Sequence, residues 1–250
     1  MSSNSTELQT SLYDGEIYLD FIGILAAELQ PNSYLEIGTH SGGSLAHVNC
    51  DAVCIDPNFV LAVTPTGSRR RTFFYQMGSD EFFASYDLKH HFSKGVDLAF
   101  LDGMHWFEFL LRDFINTEKN CHRNSLILMH DCMPPNLRIA EREWVLDESE
   151  DKSTQYGWCG DVWKILPILM EFRPELIVRI LDCPPTGLVA VSGLDPSSEV
   201  LLDNYHKILD KYSSLTLAEY SLQKLHYLFP LIHTRAIKDA SKITSYFTVR

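Results

Sequence analysis

The sequence is poor in several features, and each shortage removes a class of function. It has no C-x-x-C pair: Cys50, Cys54, Cys121, Cys132, Cys159 and Cys183 are scattered, so zinc-finger spacing is missing. A disulfide framework is equally unexpected in a chain of 250 residues, which can bury a core of its own. No run of about 18 apolar residues exists, so no membrane span is expected. Met1 to Thr10 is polar and lacks the basic start and apolar run of a secretory signal, which makes a reducing cytoplasm the expected setting. Basic side chains are the minority, 21 against 33 acidic, for a net charge of -12. Phosphate backbones and anionic membranes repel such a chain, so neither nucleic acid nor membrane is an expected partner. The one basic run, Arg69-Arg70-Arg71, reads as a solvated face or as an anchor for an anionic substrate group.

What is present is an alternation of strand-like and helical segments. Ile17, Leu19, Phe21, Ile22, Leu25 and Leu29 recur at helical spacing until Pro31-Asn32. Strands are expected at Ser33–Ile37, Ala52–Ile55, Thr72–Gln76, Val96–Leu101 and Ser125–Met129, with an amphipathic helix over Phe107–Phe114. Their apolar runs are continuous rather than alternating, which suits parallel strands covered on both faces. A helix capped by Asp161 and running to Phe172 precedes two more strands, Leu176–Leu181 and Leu188–Val191, joined like a hairpin through Cys183-Pro184-Pro185-Thr186-Gly187.

The expected fold is therefore α/β: a Rossmann-like, doubly wound, mostly parallel seven-stranded sheet with an antiparallel edge strand and extra C-terminal helices. A polar segment at 1–15 precedes the main domain at 16–195. Within that domain the long connection 133–157 reads as a lid or substrate loop. A helical extension covers 196–250. In it Leu225, Tyr227 and Leu228 suit either the core or a contact between copies in a homo-oligomer.

The chemistry-bearing residues cluster just after the strands, where open α/β sheets bind ligands. Glu36-Ile37-Gly38 and Gly42-Gly43 follow the first strand, with Gly38 and Gly42 allowing close approach of a ligand. The spacing is not the G-x-G-x-x-G of a dinucleotide loop, and the carboxylate of Glu36 suits a cationic sulfonium better than a pyrophosphate. Asp56 follows the second strand and can accept two ribose hydroxyls; Ser79 and Asp80 follow the third and can meet an adenine edge. Asp102 ends the fourth strand, and His130-Asp131 ends the fifth. Two carboxylates at adjacent strand ends repel unless a proton or cation lies between them, and hard oxygen ligands suit Mg²⁺ or another divalent ion.

These segments resemble the motifs of class I S-adenosylmethionine-dependent methyltransferases over residues 16–193. The resemblance is nearest to the bacterial macrocin-type O-methyltransferases and the cephalosporin-hydroxylase-like group. It implies Glu36, Gly38 and Gly42 at the methionine end of S-adenosyl-L-methionine, Asp56 on its ribose, and Ser79 and Asp80 at its adenine. It implies Asp102 and Asp131 as metal ligands and His105, three residues after Asp102, as general base, a role suited to a group of pKa ~6.5. The macrocin-type pattern has an acidic residue where His130 stands, so His130 reads as a metal ligand for Mn²⁺, Fe²⁺ or Zn²⁺, a second base, a substrate contact or a structural donor. Trp158 and Asp161, in a segment shared with that group, read as an aromatic packing face with a helix cap or as acceptor contacts.

The expected activity is O-methylation of a small hydroxylated acceptor, such as a sugar or glycosylated metabolite. Two other readings stand beside it: a nicotinamide-dependent oxidoreductase, and a Rossmann-like cofactor-binding protein without catalysis.

Overall fold

The computed structural model describes residues 13–144, 157–237, 240–247 and 249. Most of the polar segment expected at 1–15, and the middle of the connection expected at 133–157, lie outside them. Eight strands form one sheet: β1 (Ser33–Ile37), β2 (Asp51–Ile55), β3 (Thr72–Tyr75), β4 (Val96–Leu101), β5 (Cys121–His130), β6 (Ile177–Leu181), β7 (Leu188–Ser192) and β8 (Leu231–Ile232). Their order is β3-β2-β1-β4-β5-β7-β6-β8. The chain direction of strand addition reverses between β1 and β4, which is the switch point of a Rossmann-like sheet. β7 runs antiparallel to both β5 and β6, forming the expected hairpin with β6. The seven expected strands are all present, and β8 is an addition: two residues pairing with Ile180 and Leu181.

The alternation of side chains along each strand divides the core in two. Leu35, Val53, Ile55, Ala99, Leu101, Ile127 and Met129 point to one face. Tyr34, Ala52, Cys54, Leu98, Phe100, Leu126 and Leu128 point to the other. Helix α1 (Tyr18–Leu29) covers the second face with Phe21, Ile22 and Leu25, each fully buried and each contributing about 1.5–3 kcal/mol by that burial. The first face is covered by Phe82 of α2 (Ser79–Ser85), by Leu111 and Phe114 of α3 (Phe107–Lys119), and by Ile165 and Leu169 of α4 (Ile165–Phe172).

Beyond β7 come the short helices α5 (Val200–Asp203), α6 (Tyr205–Tyr212), α7 (Leu217–Tyr220) and α8 (Leu222–Leu228), then β8 and α9 (Ala240–Tyr246). Leu222 and Leu225 join the first core, and Ile243 and Phe247 join the second. Tyr227, by contrast, is 84% exposed.

After Gly43 the chain makes one 3-10 turn, Leu45–His47, and β2 begins only four residues later. Two local expectations change. Arg69 is neither solvated nor a substrate anchor. It is buried, and its guanidinium donates to the carbonyls of Leu45 and Val48 at 2.7 Å and Pro65 at 2.8 Å. Asp161 does not cap its own helix. Its Oδ1 accepts the Phe107 N–H at 2.8 Å and so caps α3, from far along the chain.

Candidate active site

The five parallel strands end in one row. Ile37 pairs with Ile55 and Leu101, Ile55 with Tyr75, and Leu101 with Met129. Gly38, Asp56, Asp102 and His130 each stand one residue beyond that row. A cavity of about 780 Å³ opens there, and its wall includes Gly38, Asp56, Ser79, Asp80, Asp102, His105, His130 and Asp131. Eight of the ten residues singled out in the sequence thus face one space.

Glu36 and Gly42 are the two that do not line it. Glu36 points to the second face of the sheet, fully buried, and Ser44 Oγ donates to its Oε1. Burial pushes its pKa up to about 8, against the lowering pull of the Ser44 bond, so the carboxyl is largely neutral at pH 7. Gly42, at φ +79°, packs against Val63, whose Cγ2 a side chain would meet at 2.7 Å.

Gly38 serves a close approach. Its φ is +89°, and a Cβ there would lie 2.0 Å from the Asp102 carbonyl oxygen. Only glycine lets the loop after β1 cross the loop after β4 at this distance. Asp56 is held by two backbone amides: Oδ2 accepts from His40 N and Oδ1 from Asn58 N, both at 2.7 Å. Asp80 is gripped by Arg112, whose Nε and Nη2 reach its two oxygens at 2.8 and 2.7 Å while Nη1 donates to the Tyr205 hydroxyl of α6 at 2.6 Å. Beneath Ser79, the carboxyl of Asp113 is buried, and burial pushes its pKa up to about 7 although the Ser79 hydrogen bond opposes this.

The other end of the cavity holds two carboxylates and two imidazoles. His105 Nε2 lies 3.6 Å from Asp102 Oδ1 and 3.4 Å from Asp131 Oδ2. His130 Nδ1 lies 3.5 and 3.3 Å from the same two atoms. Asp102, His105 and Asp131 each offer a ligand atom within 4.8 Å of the others, a grouping able to hold a cation. Burial alone would disfavour charge on every member. Mutual attraction wins: the carboxylates raise His105 and push His130 up to about 10, and the histidines lower Asp102 and Asp131.

Several groups that sequence reasoning missed orient this cluster. The Trp158 carbonyl lies 2.5 Å from His105 Nδ1, which must therefore carry the proton, leaving Nε2 as the nitrogen facing the carboxylates. The segment behind it is locked by Asp161 N donating to the His105 carbonyl at 3.1 Å. The Thr186 hydroxyl donates to Asp131 Oδ1 at 2.8 Å, and the Cys159 thiol to the same atom at 3.4 Å. Tyr18 stacks on His130 with ring centroids 4.0 Å apart. Of these, Trp158 and Asp161 stood out beforehand, Trp158 as an aromatic rather than as a carbonyl and Asp161 as a side chain rather than as a backbone amide.

Residues 35–132 match the family described as a methyltransferase domain. The matched segment runs from β1 to the end of β5, the parallel half of the Rossmann-like sheet. No curated protein matches the chain in sequence. Among solved structures, a Podospora anserina methyltransferase bound to SAH is 16% identical, with a TM-score of 0.49 over 71% of this chain and 78% of its own. An O-methyltransferase from Bacillus cereus in complex with SAH is 13% identical, with a TM-score of 0.48 over 73% and 84%. TomG from Streptomyces achromogenes, an O-methyltransferase involved in tomaymycin synthesis, is 12% identical, with a TM-score of 0.48 over 71% and 80%. Among the described residues, no helix is long and apolar enough to cross a membrane.

Proposed function

We propose that the protein transfers a methyl group from S-adenosylmethionine to a hydroxyl oxygen of a small acceptor, such as a sugar or a glycosylated metabolite. The observation that carries this reading is the shared cavity, with Asp56 and Gly78–Asp80 on one side and Asp102, His105 and Asp131 on the other. The residues fit the donor. A side chain on Gly78 would meet nothing within 4 Å, so the backbone there borders open space for a flat base. Ile55, Pro57, Met77 and Phe109 supply apolar wall beside it. Each Asp56 oxygen uses one lone pair on a backbone amide and keeps another for a ribose hydroxyl.

When bound, S-adenosylmethionine supplies a methyl group on a sulfonium centre, open to in-line displacement by oxygen. The chain's part is to position the acceptor and to take its proton. With Nδ1–H fixed on the Trp158 carbonyl, His105 Nε2 receives the hydroxyl proton, and Asp102 and Asp131 stabilise the imidazolium that results. Asp102, Asp131 and His130 would hold a divalent ion, which would acidify the acceptor hydroxyl and offset the pull of the carboxylates on His105. Trp144 and Trp158, whose rings meet edge to face at 6.2 Å, border the cavity with Met104 and suit the apolar face of a sugar ring.

Calorimetry with S-adenosylmethionine and with NAD tests the donor. Binding of NAD alone would remove the proposal. His105→Ala is expected to lower turnover of S-adenosylmethionine by roughly 10²- to 10⁴-fold with its binding intact. Unchanged turnover would remove His105 as the base.

A further inference from the structure

We propose that β3 is the contact edge of a two-fold dimer, in which a second copy of this chain adds its own β3 antiparallel to the first. The inference rests on the sheet and is independent of the methyl-transfer reading.

The backbone shows an open edge. β3 ends the sheet on one side and pairs with β2 alone. Ala52 N donates to the Arg71 carbonyl at 3.0 Å, and Asp56 N to the Tyr75 carbonyl at 3.1 Å. Backbone groups alternate in direction along a strand, so Phe73 and Tyr75 face β2 while Thr72, Phe74 and Gln76 face outward. Such a row of unpaired N–H and C=O groups is a template for another strand.

Edges are commonly blunted by shortness, charge or proline. The far edge follows that rule, since β8 is only two residues long. β3 does not. From Thr72 to Gln76 there is no charge and no proline, and Phe73, Phe74 and Tyr75 are aromatic in succession. Phe74 is 37% exposed and meets the Phe59 ring edge to face, with centroids 5.4 Å apart. Tyr86 lies beside Tyr75 at 4.7 Å and is 43% exposed.

Complementarity names the partner. A two-fold contact brings one surface against itself. With Phe74 on the axis, it meets Phe74 of the second copy, and Thr72 meets Gln76 of the second copy. Each such pair exchanges both backbone bonds. Phe73 then stands opposite Tyr75 of the second copy, an aromatic pair on the other face. The same direction brings the arginines before one β3 to the acidic turn after the other. Arg70 falls opposite Gly78 of the second copy, three residues before Glu81. Arg70 and Glu81 are both exposed, and neither has an ion-pair partner among the described residues. A parallel addition would set arginine against arginine. Pairing also steadies the end of β3, from which Gly78 and Ser79 reach the cavity wall.

The test is sedimentation equilibrium of the full chain, followed by crosslinking. A particle of twice 28.6 kDa is expected at micromolar concentration. Phe74→Lys sets two ammonium groups across the axis and should weaken the dimer roughly 30-fold or more. Arg70→Glu should weaken it about tenfold, and adding Glu81→Arg should recover most of that loss. Oxidation by copper phenanthroline should join Phe74→Cys chains into covalent dimers, because Cα atoms about 5.5 Å apart across the axis suit a disulfide. Thr72→Cys should stay unjoined, its two copies lying beyond the ~7 Å that a disulfide spans. The unaltered chain, whose Cys50 is half-buried and whose other cysteines are buried, is the blank. If Phe74→Lys does not melt cooperatively, the two cysteine variants decide. A chain that stays monomeric up to about 1 mM would overturn the proposal and leave the edge to a strand of another protein. A dimer that Phe74→Lys leaves intact and Phe74→Cys does not join would overturn it as well.

Discussion

Asp161 joins the stability of the domain to the geometry of its site, and replacing it with asparagine exposes the link. Its Oδ1 caps α3, while its Oδ2 accepts from Lys164 Nζ at 2.8 Å and from Arg142 Nη1 at 2.9 Å. Both Asp161 and Lys164 are about 3% exposed. The ammonium has two other partners, the Ser213 carbonyl at 3.2 Å and the Phe107 ring at 4.8 Å. The Asp161→Asn side chain retains an oxygen for the helix cap but leaves the buried ammonium without its counter-charge. Removing one partner from a buried pair costs about 3–5 kcal/mol. Arg142 is half-exposed and can turn to water, so the lower end applies: about 3 kcal/mol, or a fall in Tm of roughly 6–12 °C for a chain of this size. Urea unfolding followed by circular dichroism measures it. The double variant Asp161→Asn/Lys164→Met removes the stranded charge and should recover at least about 1 kcal/mol. A loss below about 1 kcal/mol for the single variant, or a double variant no more stable than it, would refute the reasoning.

Two further outcomes follow from buried groups near the site. The Glu36 pKa is raised in the folded chain to about 8, so between the ordinary carboxyl pKa and that value the folded state holds a proton that the unfolded state releases. Stability should therefore fall as pH rises from about 5 to about 8, and Glu36→Gln should flatten that slope; parallel slopes in urea titrations would contradict this. Gly38→Ala must either shift the Asp102 backbone or leave the left-handed region, costing about 1–3 kcal/mol and displacing Asp102. A variant with unaltered stability and S-adenosylmethionine turnover would show that the two loops are not tightly crossed.

The sheet was legible because its strands are buried on both faces, so their apolar runs stand out. β4 begins and ends where its run does, at Val96 and Leu101. The site residues were legible because they occur directly after those runs. β8 was not, since two residues carry no periodicity. Helix α2 was hidden because Gly78-Ser79-Asp80 reads as a turn. The orienting groups were hidden for a deeper reason. The Trp158 carbonyl is a backbone atom that any residue possesses, and Thr186 meets Asp131 only once the hairpin has paired beside β5. The long-range cap by Asp161 was misread as local because sequence shows neighbours along the chain and not across it.

The reversal of β7 has a consequence for how such a domain can change. Because β6 runs with the parallel strands and β7 against them, the turn between them, carrying Pro185 and Thr186, emerges on the ligand-binding edge. Under the proposed function, donor contacts lie over β1 to β3, and the reacting groups lie over β4, β5 and this turn. The two tasks then fall to separate stretches of chain and separate halves of the sheet. On that reading the turn and the segment around Trp158 can vary with the acceptor without disturbing the nucleoside half, a fixed donor socket with an exchangeable tool.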